Sequence, residues 1–380
     1  MDLHVEPREE QFRREVRDWL AANKPPLPLP SGDSADGVRV NLEWERKLFD
    51  AGWAAVSWPA EYGGRGATMW QWLIFEEEYY RVGLRQRVAQ NGMFLLAPTL
   101  FEYGTSDQKQ RYLRRIAAVE DIWCQGWSEP EAGSDLASLR SHAARDDDAG
   151  GWRLYGQKAW STRGAYSTHM FGLFRTGTTE QRHAGLTYFL IDLRQPRVTI
   201  RPVARLDGDL GFADIFFDGA LVLDRDVLGD VGGGWRVAMA TAGSERSLSL
   251  RSPGRFLASA DRLVAALREH PAQATDMRLR AAVADSWMAA RAYEYSTYRN
   301  VSRILDGANM GTEASLSKVF WSELDVALCE TALLIRDADC DVDEQWMREY
   351  EFALAGPIYA GTNEIQRNII AERLLGLPRR

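Results

Sequence analysis

Between Asp121 and Leu228 the chain has a texture that limits its architecture. The segments "GWRLYGQKAWST", "HMFGLFRTG", "LTYFLIDL", "VTIRPVARL" and "DIFFDGALVL" are short β-type runs separated by Gly, Asp or Pro. Strands this close together, with no helical stretch between them, predict an antiparallel barrel or sandwich and argue against a doubly wound sheet.

Both flanks have helical periodicity instead. Upstream, "NLEWERKLFDAGWAAVSWP" and "MWQWLIFEEEYYRVG" space apolar residues as helices do, and "TSDQKQRYLRRI" opens on a cap-like Thr or Ser. "WPAEYGGRGAT" reads as a Pro/Gly loop between them. Downstream, "PGRFLASADRLVAALREH", "MRLRAAVADSWMAARAYEYSTYRNVSRIL" and "EASLSKVFWSELDVALCETALLIRDAD" restore the helical period, and "RDADCDVDEQ" reads as a solvated acidic loop. The predicted order is an N-terminal helical domain over 1–119, a central β domain over 120–228 and a C-terminal helical bundle over 229–380. There is no internal repeat.

The 380 residues are 45% hydrophobic, enough for a large buried core, and the net charge of −8 with no long basic run argues against a nucleic-acid partner. No stretch is apolar for the length a bilayer span needs, so no membrane partner is expected. Three cysteines, Cys124, Cys329 and Cys340, lack metal-like spacing and point to a reducing cytoplasm. The five scattered histidines include no ligand pair, and no metal site is expected. The "GGG" at 232–234 lacks the spacing of a dinucleotide fingerprint and reads as a helix-entry loop.

Two segments concentrate groups that can hold a planar polar ligand. "WCQGWSEPEAGSDLASL", 123–139, gathers Trp, Ser and Gly around a proline turn, where freed backbone groups and the Ser128 and Ser134 hydroxyls can bind a heterocycle or a carbonyl. The alternative is a well-packed surface turn. "QKAWSTRGAYS", 157–167, puts Trp160 beside Ser161 and Thr162; an aromatic face next to two hydroxyls can cover a ring and bond its edge, or Trp160 can simply fill the core.

These segments, with "GGGWRVAMATAGSER" and "IYAGTNEIQRNIIAERLLGLP", occur in the order seen in acyl-CoA dehydrogenases, and "WAAVSWPAEYGGRGA" and "LAPTLFEYGTSDQKQRYL" extend the resemblance into the N-terminal third. The resemblance covers almost the whole chain. It implies FAD held at a subunit interface, with Trp127 and Ser128 lining the flavin and Ser134 near the pyrophosphate and the thioester end. Trp160, Ser161 and Thr162 would flank the isoalloxazine, and Thr362 and Glu364 would meet the nucleotide half. Ser134, Arg246, Ala360 and Gly361 would border the acyl-CoA thioester. An electron-transfer flavoprotein or similar acceptor, and a homo- or hetero-oligomer, complete the expected partners.

The family reaction removes an α-proton with a carboxylate while the β-hydride passes to flavin. The base must be desolvated so that its pKa rises to meet a weakly acidic C–H. Many members place it immediately before the Gly-Thr of the last motif, where this chain has Ala360. The family's other arrangement puts a Glu before an Arg on the helix after the β domain, and "GSER" offers Glu245 before Arg246. Read without the resemblance, Glu245 is a surface helix carboxylate paired with Arg246 or Arg251.

Several positions depart from the family pattern. The Arg-x-x-x-Phe-Gly motif and the Gly-Gly motif that grip the nucleotide half of FAD are missing, the latter replaced by "CDVDEQWMREYEFALAGP". Glu131 and Arg163 stand where smaller residues are usual. A subgroup with a different FAD grip fits, including enzymes resembling those that degrade steroid side chains. So does a subunit of a heteromer, a flavin oxidase, or an enzyme acting on acyl groups tethered to a carrier protein.

Overall fold

A computed structural model describes residues 6–246, 252–308, 311–336 and 345–379; for 244–246 the backbone alone is described. The expected sequence of helical, β and helical regions is what forms. Upstream lie α1 (Pro7–Asn23), α2 (Ala35–Asp50), α3 (Met69–Arg81), α4 (Ala97–Tyr103) and α5 (Ser106–Ala117). Seven strands follow: β1 (Trp123–Gly126), β2 (His142–Asp146), β3 (Gly151–Lys158), β4 (His169–Arg175), β5 (Leu186–Asp192), β6 (Val198–Val203) and β7 (Phe212–Leu223). The rest is α6 (Gly234–Arg246), α7 (Pro253–Glu269), α8 (Met277–Leu305), α9 (Glu313–Arg336), α10 (Gln345–Ala353) and α11 (Asn363–Ile369). Residues 337–344, with Cys340 and most of the expected acidic loop, are outside the described residues.

By packing the chain forms two compact units, one of residues 1–28, 67–85 and 246–380, the other of 29–66 and 86–245. The first unit is helical. α1 begins at Pro7, whose missing N–H costs nothing at a first helical position, and buries Phe12, Val16 and Leu20 at four-residue spacing. α3 is opened by a capping box in which Thr68 and Gln71 satisfy each other's backbone N–H groups. Arg13 of α1 then joins Glu77 and Glu78 of α3 at 2.9 and 2.7 Å, and Tyr298 of α8 donates to Glu77 at 2.7 Å. The apolar faces of α7, α8, α9 and α10 meet in a core around Phe256, Leu263, Tyr293, Trp321, Leu328 and Trp346.

The second unit is built on the sheet, in the order β1-β4-β2-β3-β7-β6, with β5 on the other side of β4. β4 and β5 are buried along their length, because "HMFGLFR" and "LTYFLID" are apolar on both faces. β6, by contrast, alternates between partly and fully exposed positions over its first half, as a strand near the rim does. Most pairs are antiparallel, as the close spacing predicts. β1, however, runs parallel to β4, with Trp123 opposite His169, because the whole β2–β3 hairpin intervenes before the chain returns. Along β3 and β7 the register slips between Leu154 and Tyr155, opposite Gly219 at φ 83°, a bulge that glycine permits at no steric cost.

Candidate active site

The two ligand-type segments leave neighbouring parts of the sheet. "WSEP" follows β1 and "AWSTR" follows β3; the Ala159 N–H donates to the Ser128 carbonyl at 2.9 Å, joining them. Beneath that bond lies a buried ion pair. Lys158, fully buried, places Nζ 2.7 Å from Glu129 Oε1 and 3.4 Å from the Trp127 carbonyl, over the Phe174 ring. Glu129 also accepts from the Arg140 and Ser141 N–H groups at 2.7 and 3.0 Å. Burial pushes the Lys158 ammonium down to about 8, with Glu129 offsetting part of that. Burial alone would raise Glu129, but Lys158 and the two backbone donors hold it below the usual carboxylate range. The pair is ionised at neutral pH.

Beyond Lys158 the backbone turns sharply. Trp160 has φ 58° and Arg163 φ 54°, both in the left-handed region that L-residues seldom occupy. Reciprocal bonds of 3.0 Å between Ser161 and Ala213, and one of 2.9 Å from the Arg163 N–H to the Gly211 carbonyl, hold the turn against the entry to β7. Trp160 is thrown outward, 64% exposed, with its edge near Phe212. Ser161 is fully buried, yet its Oγ has no hydrogen-bond partner, and neither has the buried Trp127 Nε1. Ser128 and Thr162 are half-buried, and Ser134 stands exposed in the turn after Pro130.

Another sequence-predicted element, α6, starts where Gly232–Gly234 deliver the chain. A Cβ on Gly234 would sit 2.6 Å from Thr187 backbone carbon, so the helix entry packs directly on β5. Thr241 in its middle is buried, with Oγ1 at 2.8 Å from Thr99 Oγ1 and 3.2 Å from the Tyr188 hydroxyl. Glu245 and Arg246 form its last turn, and their side chains lie outside the described residues.

The remaining candidates belong to the helical unit. Ala360 (φ 57°) and Gly361 (φ 80°) are consecutive left-handed residues before α11. Buried Gln366 spans the turn, donating to the Ala360 and Gly361 carbonyls at 3.2 and 3.3 Å. Thr362 caps the helix, its Oγ1 accepting from the Ile365 N–H at 3.3 Å, and Glu364 is exposed in the first turn. Buried Lys318 donates to Asn363 Oδ1 at 2.7 Å, locking α11 to α9. Thus Trp127, Ser128, Trp160, Ser161 and Thr162 come together in one unit, while Ala360, Gly361, Thr362 and Glu364 form a separate turn in the other.

Sequence reasoning singled out neither Lys158, Glu129 nor Gln366. No local signal marked Lys158, since the strand "GWRLYGQK" that it ends is of mixed polarity; a buried Lys needs a partner, and which one is decided only by folding.

Comparison with known proteins gives the class. Family models for the acyl-CoA dehydrogenase N-terminal, middle and C-terminal domains match residues 6–120, 124–220 and 232–375. The chain belongs to the acyl-CoA dehydrogenase family, flavoprotein oxidoreductases of lipid metabolism, and is an acyl-CoA dehydrogenase. Among its relatives, acyl-CoA dehydrogenase IpdE1 of Mycobacterium tuberculosis is 39% identical, over 97% of this chain and 98% of that one. IpdE1 of Mycolicibacterium smegmatis is 38% identical with the same coverage. Among solved structures, the ChsE4-ChsE5 complex from Mycobacterium tuberculosis matches with a TM-score of 0.82 at 26% identity over the full length of both chains. The Tcur3481-Tcur3483 steroid ACAD matches with 0.85 at 23% identity, again over both full lengths, a likeness of fold. No described helix is long and apolar enough to cross a membrane.

Proposed function

We propose that this chain carries out α,β-dehydrogenation of an acyl-CoA thioester with Glu245 as the base that takes the α-proton. FAD, when bound, supplies the hydride-accepting ring. The observation that carries the reading is the exposed ring of Trp160 with the half-buried hydroxyls of Ser128 and Thr162, on two segments joined by the Ala159–Ser128 bond. An exposed aromatic face can cover a planar ring, and hydroxyls at its rim can bond the ring's edge. By the family pattern, Ser134 and Arg246 are assigned to the thioester end, and Thr362 and Glu364 to the nucleotide half.

Glu245 is the candidate base because the alternative position carries none. Ala360 has a methyl group, which accepts no proton, and its place between Tyr359 and Gly361 in a left-handed turn leaves little bulk there. The proposed substrates are acyl groups of bulky shape, steroid side chains among them, in keeping with the fold likeness to the Tcur3481-Tcur3483 steroid ACAD. Buried free thiols at Cys124 and Cys329 suit a reducing cytoplasm, and an electron-transfer flavoprotein suits the acceptor.

The test is anaerobic titration of Glu245→Gln. The variant is expected to keep its yellow flavin and to lose bleaching by acyl-CoA by a factor of about 10³ or more. Full bleaching at the wild-type rate would remove Glu245 from the mechanism. A second reading, a subunit of a two-chain enzyme, is favoured by the ChsE4-ChsE5 likeness. Flavin content of the same wild-type preparation separates them: one per chain for a homo-oligomer, none or a half for a partnered subunit. Equal or faster reduction by a carrier-protein thioester would shift the substrate class.

A further inference from the structure

Arg163 is charged and large at the position that closes the Trp160–Thr162 turn, and its contacts lead to a part of the chain far away in sequence. Its Nε lies 2.7 Å from Asp33 Oδ1 and donates to the Gly32 carbonyl at 3.2 Å, while Nη1 reaches the Val88 carbonyl at 3.5 Å. The other oxygen of Asp33 is held by Arg205, and Arg205 pairs in turn with Asp207 Oδ2 at 2.7 Å. The Arg205 N–H donates to the Asp209 carbonyl at 2.9 Å, closing the loop that leads to Gly211 and β7. A single buried carboxylate therefore joins three segments: the loop before α2, the turn after β3 and the loop before β7.

The surroundings leave this cluster little room to relax. A Cβ on Gly32 would lie 2.5 Å from Val88 Cγ1, so the Asp33 loop is seated closely on the Val88 segment. That segment is itself pinned by buried Glu45, which accepts from the Val88 and Ala89 N–H groups at 2.5 and 3.2 Å. Burial raises the Asp33 carboxyl, but Arg163 and Arg205 outweigh it and hold it below the usual range. The carboxylate is thus charged at any working pH of the protein.

We propose that Asp33, Arg163 and Arg205 form a positioning clamp for the turn that carries Trp160, Ser161 and Thr162. Left-handed backbone at two non-glycine residues persists only where tertiary contacts over-determine it. The Ser161–Ala213 bonds secure the first of these residues, and the ion cluster secures the second. Arg163 touches no reacting atom; it sets where Trp160 faces outward and where the Ser161 hydroxyl is kept buried and free. The inference rests on the reading of this turn as the flavin-contacting segment.

The experiment compares full-length Asp33→Asn, Arg163→Asn, the double variant and Arg163→Lys with wild type. Asn tolerates the left-handed backbone, so Arg163→Asn removes the clamp without adding local strain. Amide exchange of peptides covering 158–167 and 203–213, measured without added flavin, is expected to rise about tenfold in each single variant. FAD dissociation constants are expected to rise about tenfold, with altered visible circular dichroism of the bound flavin. The double variant should lose less than the sum of the two singles, because both break the Asp33–Arg163 contact, and Arg163→Lys should recover part of the loss.

Unchanged exchange in Asp33→Asn would overturn the clamp. Faster exchange with unchanged FAD affinity and dichroism would also overturn it, leaving a cluster that only stabilises the fold. A wild type that binds no FAD, alone or with a partner chain, would remove the flavin reading and the positioning role together. A wild type and variants that bind FAD equally would remove the clamp alone.

Discussion

Two turns in this molecule solve one backbone problem by different chemistry. After β3, Trp160 and Arg163 adopt left-handed conformations; before α11, Ala360 and Gly361 do. The first turn is held by charge, with the Lys158–Glu129 pair at its base and the Asp33–Arg163 pair at its end. Within the second turn the bonds are those of a neutral amide and a cap, with Gln366 donating to two carbonyls and Thr362 accepting from Ile365, while the buried charge of Lys318 acts on the helix that follows. Charged clamps in a buried setting are strong as pairs and costly when broken, whereas amide clamps lose only their own bonds. The turn with exposed Trp160 and unpartnered Ser161 therefore stands on interactions that fail abruptly.

The sharpest break of that contrast is Lys158→Met. It leaves Glu129 buried without its counter-charge and is expected to destabilise the sheet-containing unit by about 3–5 kcal/mol in denaturant unfolding. A loss below about 1 kcal/mol would mean that the Arg140 and Ser141 N–H groups suffice for the carboxylate. Gln366→Ala comes next. Removing its donor from the Ala360 and Gly361 carbonyls should cost about 1–3 kcal/mol, and the cost should be the same at high and low salt.

The smallest effect is expected from acid. Asp33 has a folded pKa below its unfolded value, so its contribution is complete above about pH 4 and is lost as pH falls through the folded value. Amide protection at Ser161 and Arg163 should therefore drop as pH falls below about 4, relative to that at Asn363 and Gln366. Loss of protection in both turns together would show that their support is not of different kinds.

How much of this was legible before folding differs from residue to residue. Strands β3 to β7 are visible as short β-type runs, and α3 and α5 announce their starts with Thr followed by Gln three residues on. β1 and β2 carry no such signal, because "WCQG" and "HAARD" are too short and too polar to show a period. The first two segments of the candidate site were legible as motif text, in "WSEP" and "AWST", whereas the side chains of Glu245 and Arg246 in "GSER" lie outside the described residues. The residues that hold those two segments in place were not legible, since Asp33 and Arg163 are far apart in the chain and meet only when it folds.

What the sequence by itself determined is the succession of helical and β-forming stretches, the caps that start several helices, and the family motifs. These depend on the identity and spacing of near neighbours, which a linear chain states directly. Only the tertiary structure decided that α1 and α3 pack with the C-terminal helices while α2, α4 and α5 pack with the sheet. It also decided that β1 lies parallel to β4 and that Lys158 meets Glu129. It left the Ser161 hydroxyl buried with no partner. Each of these outcomes depends on how distant segments meet, chosen by the burial and charge balance of the whole unit, for which no local pattern exists.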